Sequence, residues 1–361
     1  MLAGDARDAA ADWVARHGSR LPGFRGAYLT GSTLSLPPGA EVPVGSDTDV
    51  MVVLDELPEG HKPGKFLYGG ALLEVSYLPH ARLASPADVL GSYHLAGAFR
   101  ADLAAGDTVL ADPTGELGRL RTEVGRAFAE PRWVRRRWAE ARGNVARALT
   151  GFDPTAAPWP QTVLAWLFPT GVTTHVVLVA GLRNPTVRLR YLAARELLTA
   201  HGLGDAYEEL LTLLGCQDLT ARRAEEHLHA LARTFDATAA VARTPFFFSS
   251  DLTPAARPIA VDGSLRLIRQ GRHREVMFWI AATFARCHTA LDADAPAALR
   301  RELEPAFHAA LADLGITSAA DLTARARAVL AALPAVEETA ERVLAATLAR
   351  GGGRGGGQAV S

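Results

Sequence analysis

The sequence predicts a small mixed β-sheet with flanking helices, followed by a larger all-α region. Three observations carry that expectation. Apolar runs near 26–30, 48–54, 71–78 and 108–111 are short and bounded by turn residues, as strands are. From residue 116 onward the apolar spacing is helical, block after block. At 361 residues the chain exceeds what one core holds by default, so two domains are expected, 1–115 and 116–350.

Taken in order, an amphipathic helix is expected from 5 to about 17, closed by Gly18. The strand runs follow. In the third, Leu73, Val75 and Tyr77 alternate with Leu72, Glu74 and Ser76, the pattern of a half-buried strand. Helices are expected near 116–130, 132–149, 160–182, 187–201, 205–214 and 220–242, then near 273–290, 296–313, 319–332 and 335–349. Pro131, Pro160, Pro296 and Pro334 stand where a helix can begin without losing a needed N–H. The stretch 244–263, rich in proline and short polar residues, reads as an ordered irregular loop. Loops of that length inside a compact domain usually have a job. The glycine-rich end, 351–361, is expected to be a flexible tail outside the fold.

Charge and composition exclude several classes. The chain carries 38 basic against 39 acidic residues, so it lacks the basic excess of a protein that coats nucleic acid. Nearly all its cations are arginine; Lys62 and Lys65 are the only lysines. Cys216 and Cys287 are too few and too far apart for a disulfide framework or a thiolate metal site. The first residues lack the basic-then-apolar order of a secretory signal. The most apolar stretch, 162–182, is broken by Pro169-Thr170-Gly171 and reads as a pair of buried helix segments, not a membrane span. A cytoplasmic protein with no membrane partner is expected.

The chemistry concentrates in the strands. Thr30-Gly31-Ser32 ends one apolar run, and Gly-Ser can form a tight turn whose backbone N–H groups hold phosphate. Ser46-Asp47-Thr48-Asp49 opens the next. Strand periodicity places Asp47 and Asp49 on one face, where they repel unless a cation sits between them. Mg²⁺ favours one or two carboxylates plus substrate phosphates. Glu74, in the middle of an apolar strand, is costly to bury unless it is paired or metal-bound. It is the candidate third ligand and a candidate proton acceptor. Ser46 either orients a carboxylate or makes the turn.

Gly31-Ser32, then Ser46-Asp47-Thr48-Asp49 and an acid on a later strand, resemble the signature of the DNA polymerase beta-like nucleotidyltransferase superfamily, with the closest likeness to its aminoglycoside nucleotidyltransferase branch. The resemblance covers about the first third of the chain. It implies that Gly31 and Ser32 grip a triphosphate and that Asp47, Asp49 and Glu74 hold one or two Mg²⁺ ions. The helical remainder, including Arg183 to Arg188, is similar in kind to the helical domains appended to such enzymes. Two departures stand out: the segment from Ser32 to Asp47 is long, and Pro37-Pro38-Gly39 weakens the helix that normally follows Gly-Ser.

The expected activity is transfer of a nucleoside monophosphate, AMP from ATP, to a hydroxyl of a small acceptor such as an aminoglycoside-like metabolite, with release of pyrophosphate. Transfer to a tRNA end or a protein hydroxyl, and a non-catalytic nucleotide-binding module, remain as alternatives. Trp133-Val-Arg-Arg-Arg-Trp138 reads as a basic patch for nucleic acid or as a helix burying Trp133, Val134 and Trp138 with its arginines in water; neutrality overall favours the second. His175 reads as a satisfied core histidine, with a cleft-lining role as the alternative. Arg272 and Arg274, at an expected helix start, are candidate contacts for a triphosphate or an acidic acceptor. Phe246 to Phe248 read as core, or as a shelf for a ring.

Overall fold

Helix α1 (Ala3–Arg16) buries Ala6, Ala10, Trp13 and Val14, a spacing of three and four that makes one apolar stripe. That stripe lies on a five-stranded sheet in the computed structural model, which describes residues 1–60 and 62–352. The strands are β1 (Phe24–Thr30), β2 (Thr48–Leu54), β3 (Gly64–Tyr68), β4 (Ala71–Pro79) and β5 (Val109–Ala111). Their order across the sheet is β3-β4-β2-β1-β5. Only β2 and β4 run parallel; β1 with β2, β1 with β5 and β3 with β4 are antiparallel.

Strand β3 was not among the expected elements. It is five residues long, follows Pro63 and is broken in hydrophobicity by Lys65. The signal that marks it is Gly69-Gly70. Both glycines have positive φ, +55° and +82°, and they join β3 to β4 as a two-residue hairpin. The hairpin lets β4 fold back to the inner side and pair parallel with β2.

Helices α2 (Pro86–Gly91) and α3 (Glu116–Ala127) close the sheet half. The helical half follows: α4 (Pro131–Thr150), α5 (Trp159–Ala180), α6 (Arg190–Ala200), α7 (Gly204–Leu214), α8 (Ala221–Val241), α9 (Arg257–Ala260), α10 (Asp262–Arg269), α11 (Met277–Asp294), α12 (Ala297–Asp313) and α13 (Ala319–Gly352). Two apolar clusters result, one under the sheet and one among these helices.

Several expected boundaries move. Pro169 does not split α5, which is one continuous helix; the buried hydroxyls of Thr170 and Thr174 bond back to the carbonyls of Trp166 and Gly171. Pro334 likewise lies inside α13, so the two helices expected there are one. The irregular loop expected over 244–263 contains two 3₁₀ turns and α9, and α10 begins before it ends. Helix α11 begins at Met277, so Arg272 and Arg274 precede it instead of opening it. The expected tail lies, past its first two residues, outside the described residues. Helix α5 is long and apolar enough by composition to cross a membrane, yet 72% of its most apolar window is buried inside the fold. It is the central helix of the second core.

The Gly-Ser turn is braced from below. Buried Arg7 of α1 donates through Nη2 to the carbonyls of Thr33 and Leu36, at 2.7 and 2.6 Å. The following loop is tied to the start of α1, where the amides of Ala3 and Gly4 donate to the carbonyls of Ala40 and Pro38. Replacing Arg7 by Met strands one buried and one part-buried carbonyl. It is expected to cost about 1–3 kcal/mol in denaturant unfolding, with faster amide exchange around 33–42.

Candidate active site

The register of the sheet assembles the site. Thr30 of β1 pairs with Asp49 of β2, Asp49 with Glu74 of β4, and Glu74 with Lys65 of β3. Residues opposite one another in register share a face, so one row crosses four strands and brings Asp49, Glu74 and Lys65 side by side. Asp47, two residues before Asp49, projects to the same face. Carboxylate oxygens of Asp47, Asp49 and Glu74 lie within 4.8 Å of one another.

Four carboxylates and two lysines share this small volume. Lys65 Nζ, almost wholly buried, lies 3.2 Å from Asp47 Oδ2, 2.5 Å from Glu74 Oε2 and 2.6 Å from Asp251 Oδ1. Lys62 Nζ lies 2.5 Å from Glu74 Oε1. Asp251, in the 3₁₀ turn of Ser249–Leu252, is held on its other oxygen by Arg286 of α11 at 2.8 Å. Arg286 is itself enclosed by Phe168, Trp279 and Phe248, each ring centre within 5.6 Å of the guanidinium carbon.

The protonation of these groups follows from their neighbours. Burial pushes the Asp49 carboxyl well above its usual range, and Asp47 and Glu74 push it further. Asp47 is also raised by burial, although Lys65 opposes the rise. Burial alone would raise Glu74, but Lys65 and Lys62 outweigh it and hold the carboxyl at about 2. Burial would lower Lys65, yet Asp251, Asp47 and Glu74 raise it, so it stays a cation. Glu74 is therefore a poor proton acceptor while both lysines hold it, which corrects that part of the expectation.

Gly31 earns its place by close approach. Its φ is +78°, and a Cβ built there would stand 1.7 Å from Asp49 Oδ2. The expected helix after Gly-Ser is instead a 3₁₀ turn, Ser32–Ser35. Gly31, Ser32, Ser46, Asp47, Asp49, Lys65 and Glu74 line one cleft of about 150 Å³, facing residues 185–189, Ile259 and Trp279. On the Gly31-Ser32 side it adjoins a cavity of about 440 Å³ walled by Arg100, Asp102, Arg183, Asn184 and Glu196. On the Ser46 side lies an apolar cavity of about 270 Å³.

The facing loop, 183–189, is held by side chains from the helical half. His175 Nε2 donates to the carbonyl of Thr186 at 3.0 Å, Arg190 Nε to that of Val187 at 2.8 Å, and Asn184 Nδ2 to that of Gly97 at 3.2 Å. The loop starts at Leu182, the one non-glycine residue with positive φ among those described (+55°), and Arg100 donates to its carbonyl. His175 is buried and its protonation is suppressed by burial and by Arg190, so it acts as a neutral donor that sets the loop. It does not line the carboxylate cleft.

Arg272 and Arg274 are not brought to the cleft. Arg274 is engaged by Glu208 at 2.7 and 2.9 Å, and neither arginine lines any of the three cavities. The Trp133–Trp138 stretch is helical, with Val134 and Trp138 buried and Arg135 and Arg136 exposed, as the favoured reading has it. Two details differ: Arg137 is buried, donating to the carbonyls of Leu90 and Phe128, and Trp133 is only half-buried. Arg135 and nearby Arg142 are paired with Glu341 and Glu337 of α13. Phe248 is core, whereas Phe247 is 66% exposed.

Lys65, Asp251, Arg188 and Trp279 belong to the site but were not singled out from sequence. Two lysines just before the Gly-Gly hairpin, seven and four positions from Gly69, in a chain otherwise using arginine, were the available signal for the first. Comparison with family models, curated proteins and solved structures finds no match to this chain.

Among the described residues, Asp49 has no hydrogen-bond or ion-pair partner, and Arg188, which lines the same cleft, has none either. An all-oxygen donor set with an uncompensated carboxylate fits a hard divalent cation such as Mg²⁺.

Because its folded-state proton affinity is raised, the Asp49 carboxyl binds more protons in the native state than in the unfolded chain. The contribution of this group to stability in chelator should therefore fall as pH rises from about 4 toward neutrality. Asp49→Asn should flatten that fall in urea unfolding at a series of pH values, and at pH 7 it should stabilise the chain. Gly31→Ala, by contrast, should displace Asp49 and weaken Mn²⁺ binding about tenfold or more in a calorimetric titration.

Proposed function

We propose that this chain is a Mg²⁺-dependent nucleotidyltransferase of the polymerase beta-like kind, moving a nucleoside monophosphate, AMP from ATP, to a hydroxyl of a small-molecule acceptor. The observation that carries the reading is that Asp49 and Arg188 line one cleft and neither has a hydrogen-bond or ion-pair partner among the described residues, with Lys65 and Lys62 acting on Asp49, and Asp47 on Arg188, only at longer range. A metal-bound polyphosphate would give each a direct partner.

The residues divide the work by position. Gly31 and Ser32, on a turn fixed by Arg7, face the phosphates, and half-buried Arg188 reaches them from the opposite wall. Asp47 and Asp49 would hold the ion, which when bound supplies charge neutralisation of the phosphates. The cleft itself has too little volume for a nucleotide, but the adjoining cavity of about 440 Å³ lies within the usual range of ligand pockets, roughly 300–1,000 Å³. We assign the nucleoside to it. The acceptor then approaches from the Ser46 side. That cavity is lined by Val42, Pro43, Leu67, Leu72, Pro258 and Ile259 and carries no acid. A hydroxyl flanked by apolar groups suits it better than a polycationic aminoglycoside.

In the transfer, the acceptor oxygen forms a bond to the α-phosphorus, the bond to the bridging oxygen breaks, and pyrophosphate leaves. The hydroxyl proton passes to solvent water, since Glu74 and Asp251 are held by cations on both oxygens and Asp47 and Asp49 would hold the ion. Catalysis of this kind rests on positioning and charge, with no covalent intermediate required. The ion pairs that occupy Arg135 and Arg142 weigh against an RNA acceptor.

The test is a screen of hydroxylated metabolites with α-labelled triphosphates and Mg²⁺, read as pyrophosphate release and acceptor labelling. Asp47→Asn and Asp49→Asn are each expected to lose about 10³-fold, the equivalent of about 4 kcal/mol in the transition state. Arg188→Gln is expected to raise the KM for triphosphate about tenfold or more. Release that persists undiminished in Asp49→Asn protein would sink the assignment.

A further inference from the structure

The geometry points to a centre that takes one divalent cation, on Asp47 and Asp49, with the ammonium of Lys65 permanently filling the place of a second. Glu74 is then the counter-ion that seats Lys65 and not a metal ligand. This inference rests on the proposed nucleotidyl transfer and changes the role that the sequence resemblance implies for Glu74.

Three observations support it. First, Lys65 Nζ is held among three carboxylates: it donates hydrogen bonds to Glu74 and Asp251 at 2.5 and 2.6 Å, and it forms an ion pair with Asp47 at 3.2 Å. A second ion shared by Asp47 and Glu74 would need the volume that Nζ occupies. Second, both oxygens of Glu74 are engaged, Oε2 by Lys65 and Oε1 by Lys62. Asp49 is the member of the trio with both oxygens unpartnered among the described residues. Third, Lys65 cannot swing away freely. It is buried, its strand is locked in register with β4, and its third partner, Asp251, is fixed by Arg286 inside an aromatic enclosure. Gly64, just before it, has φ +67° and approaches Ser250 so closely that a Cβ would meet Ser250 Oγ at 2.2 Å. The edge of the sheet is therefore keyed to the 249–252 turn at the position that sets the lysine.

Two-ion transfer sites place their cations about 3.5–4 Å apart. A fixed ammonium at one of the two places gives one positive charge where a divalent ion gives two, and it needs no metal from solution. Lys65 acts as a positioning and charge-neutralising residue on the acceptor side, with Asp251 and Arg286 as its supports.

Mn²⁺ alone, titrated into the full chain and followed by electron paramagnetic resonance and calorimetry, tests this without reference to turnover. Wild-type protein is expected to bind one Mn²⁺ per chain. Asp49→Asn should lose it, and Glu74→Gln should keep it with a dissociation constant changed less than about tenfold. Lys65→Ala should bind two, and Mn²⁺ should raise its Tm more than that of wild type, because the uncovered carboxylates gain a second cation. If Lys65→Ala does not fold, the Glu74→Gln measurement decides. Two ions in the wild type, or loss of Mn²⁺ in folded Glu74→Gln protein, overturns the inference and leaves the proposed transferase standing. No Mn²⁺ binding by the wild type overturns both.

Discussion

The parallel pairing of β2 with β4, with Asp49 opposite Glu74, is the constraint on which the rest of the structure depends. Adjacent strands lie about 5 Å apart, so this register forces two acids into contact on one face, and Asp47 adds a third. Bringing them together is unfavourable by itself. Lys65 enters from β3 along the same row and neutralises part of the repulsion. A slip of one residue in either pairing would turn Glu74 or Lys65 to the opposite face and dismantle the cluster.

The helical half completes the site in two ways. Its first contribution is the 183–189 loop, which forms the far wall and carries Arg188. His175, Arg190 and Asn184 hold that loop by its carbonyls or against Gly97, so buried side chains of α5 and α6 set the width of the cleft. The second is the Asp251–Arg286 pair, which ties the edge of the sheet to α11. A buried ion pair of this sort contributes little net stability, since desolvation offsets attraction. Its value here is geometric, because it gives Lys65 a fixed third partner.

Much of the sheet half was legible in the sequence. Alternation around Glu74 and the apolar run after Asp49 mark β4 and β2 because period-two burial leaves a period-two pattern, and Asp47, Asp49 and Glu74 stand out as acids beside apolar residues. Strand β3 was not legible from hydropathy, since its second residue is Lys65, placed there for electrostatic reasons that exist only once β4 is paired beside it. Prolines misled at 169 and 334, where tertiary packing holds a helix through a missing N–H. Asp251 and Arg286 are far from the carboxylates in sequence and meet them only in the fold. Arg137 reads as a surface cation until the carbonyls of Leu90 and Phe128 are seen to need a donor. His175 is the buried, hydrogen-bonded histidine that the sequence leads one to expect, but that its partner is the cleft-facing loop depends on the turn at Leu182.

Trp279 lies at the meeting of these parts. Its ring stands against Arg286 and it also forms a wall of the carboxylate cleft. Indole emission responds to nearby charge and solvent, so any ligand that redistributes charge among the acids or excludes water from the cleft changes the surroundings of Trp279, one of six tryptophans in the chain. The molecule thus carries its own optical reporter of occupancy, placed by the same packing that steadies the lysine.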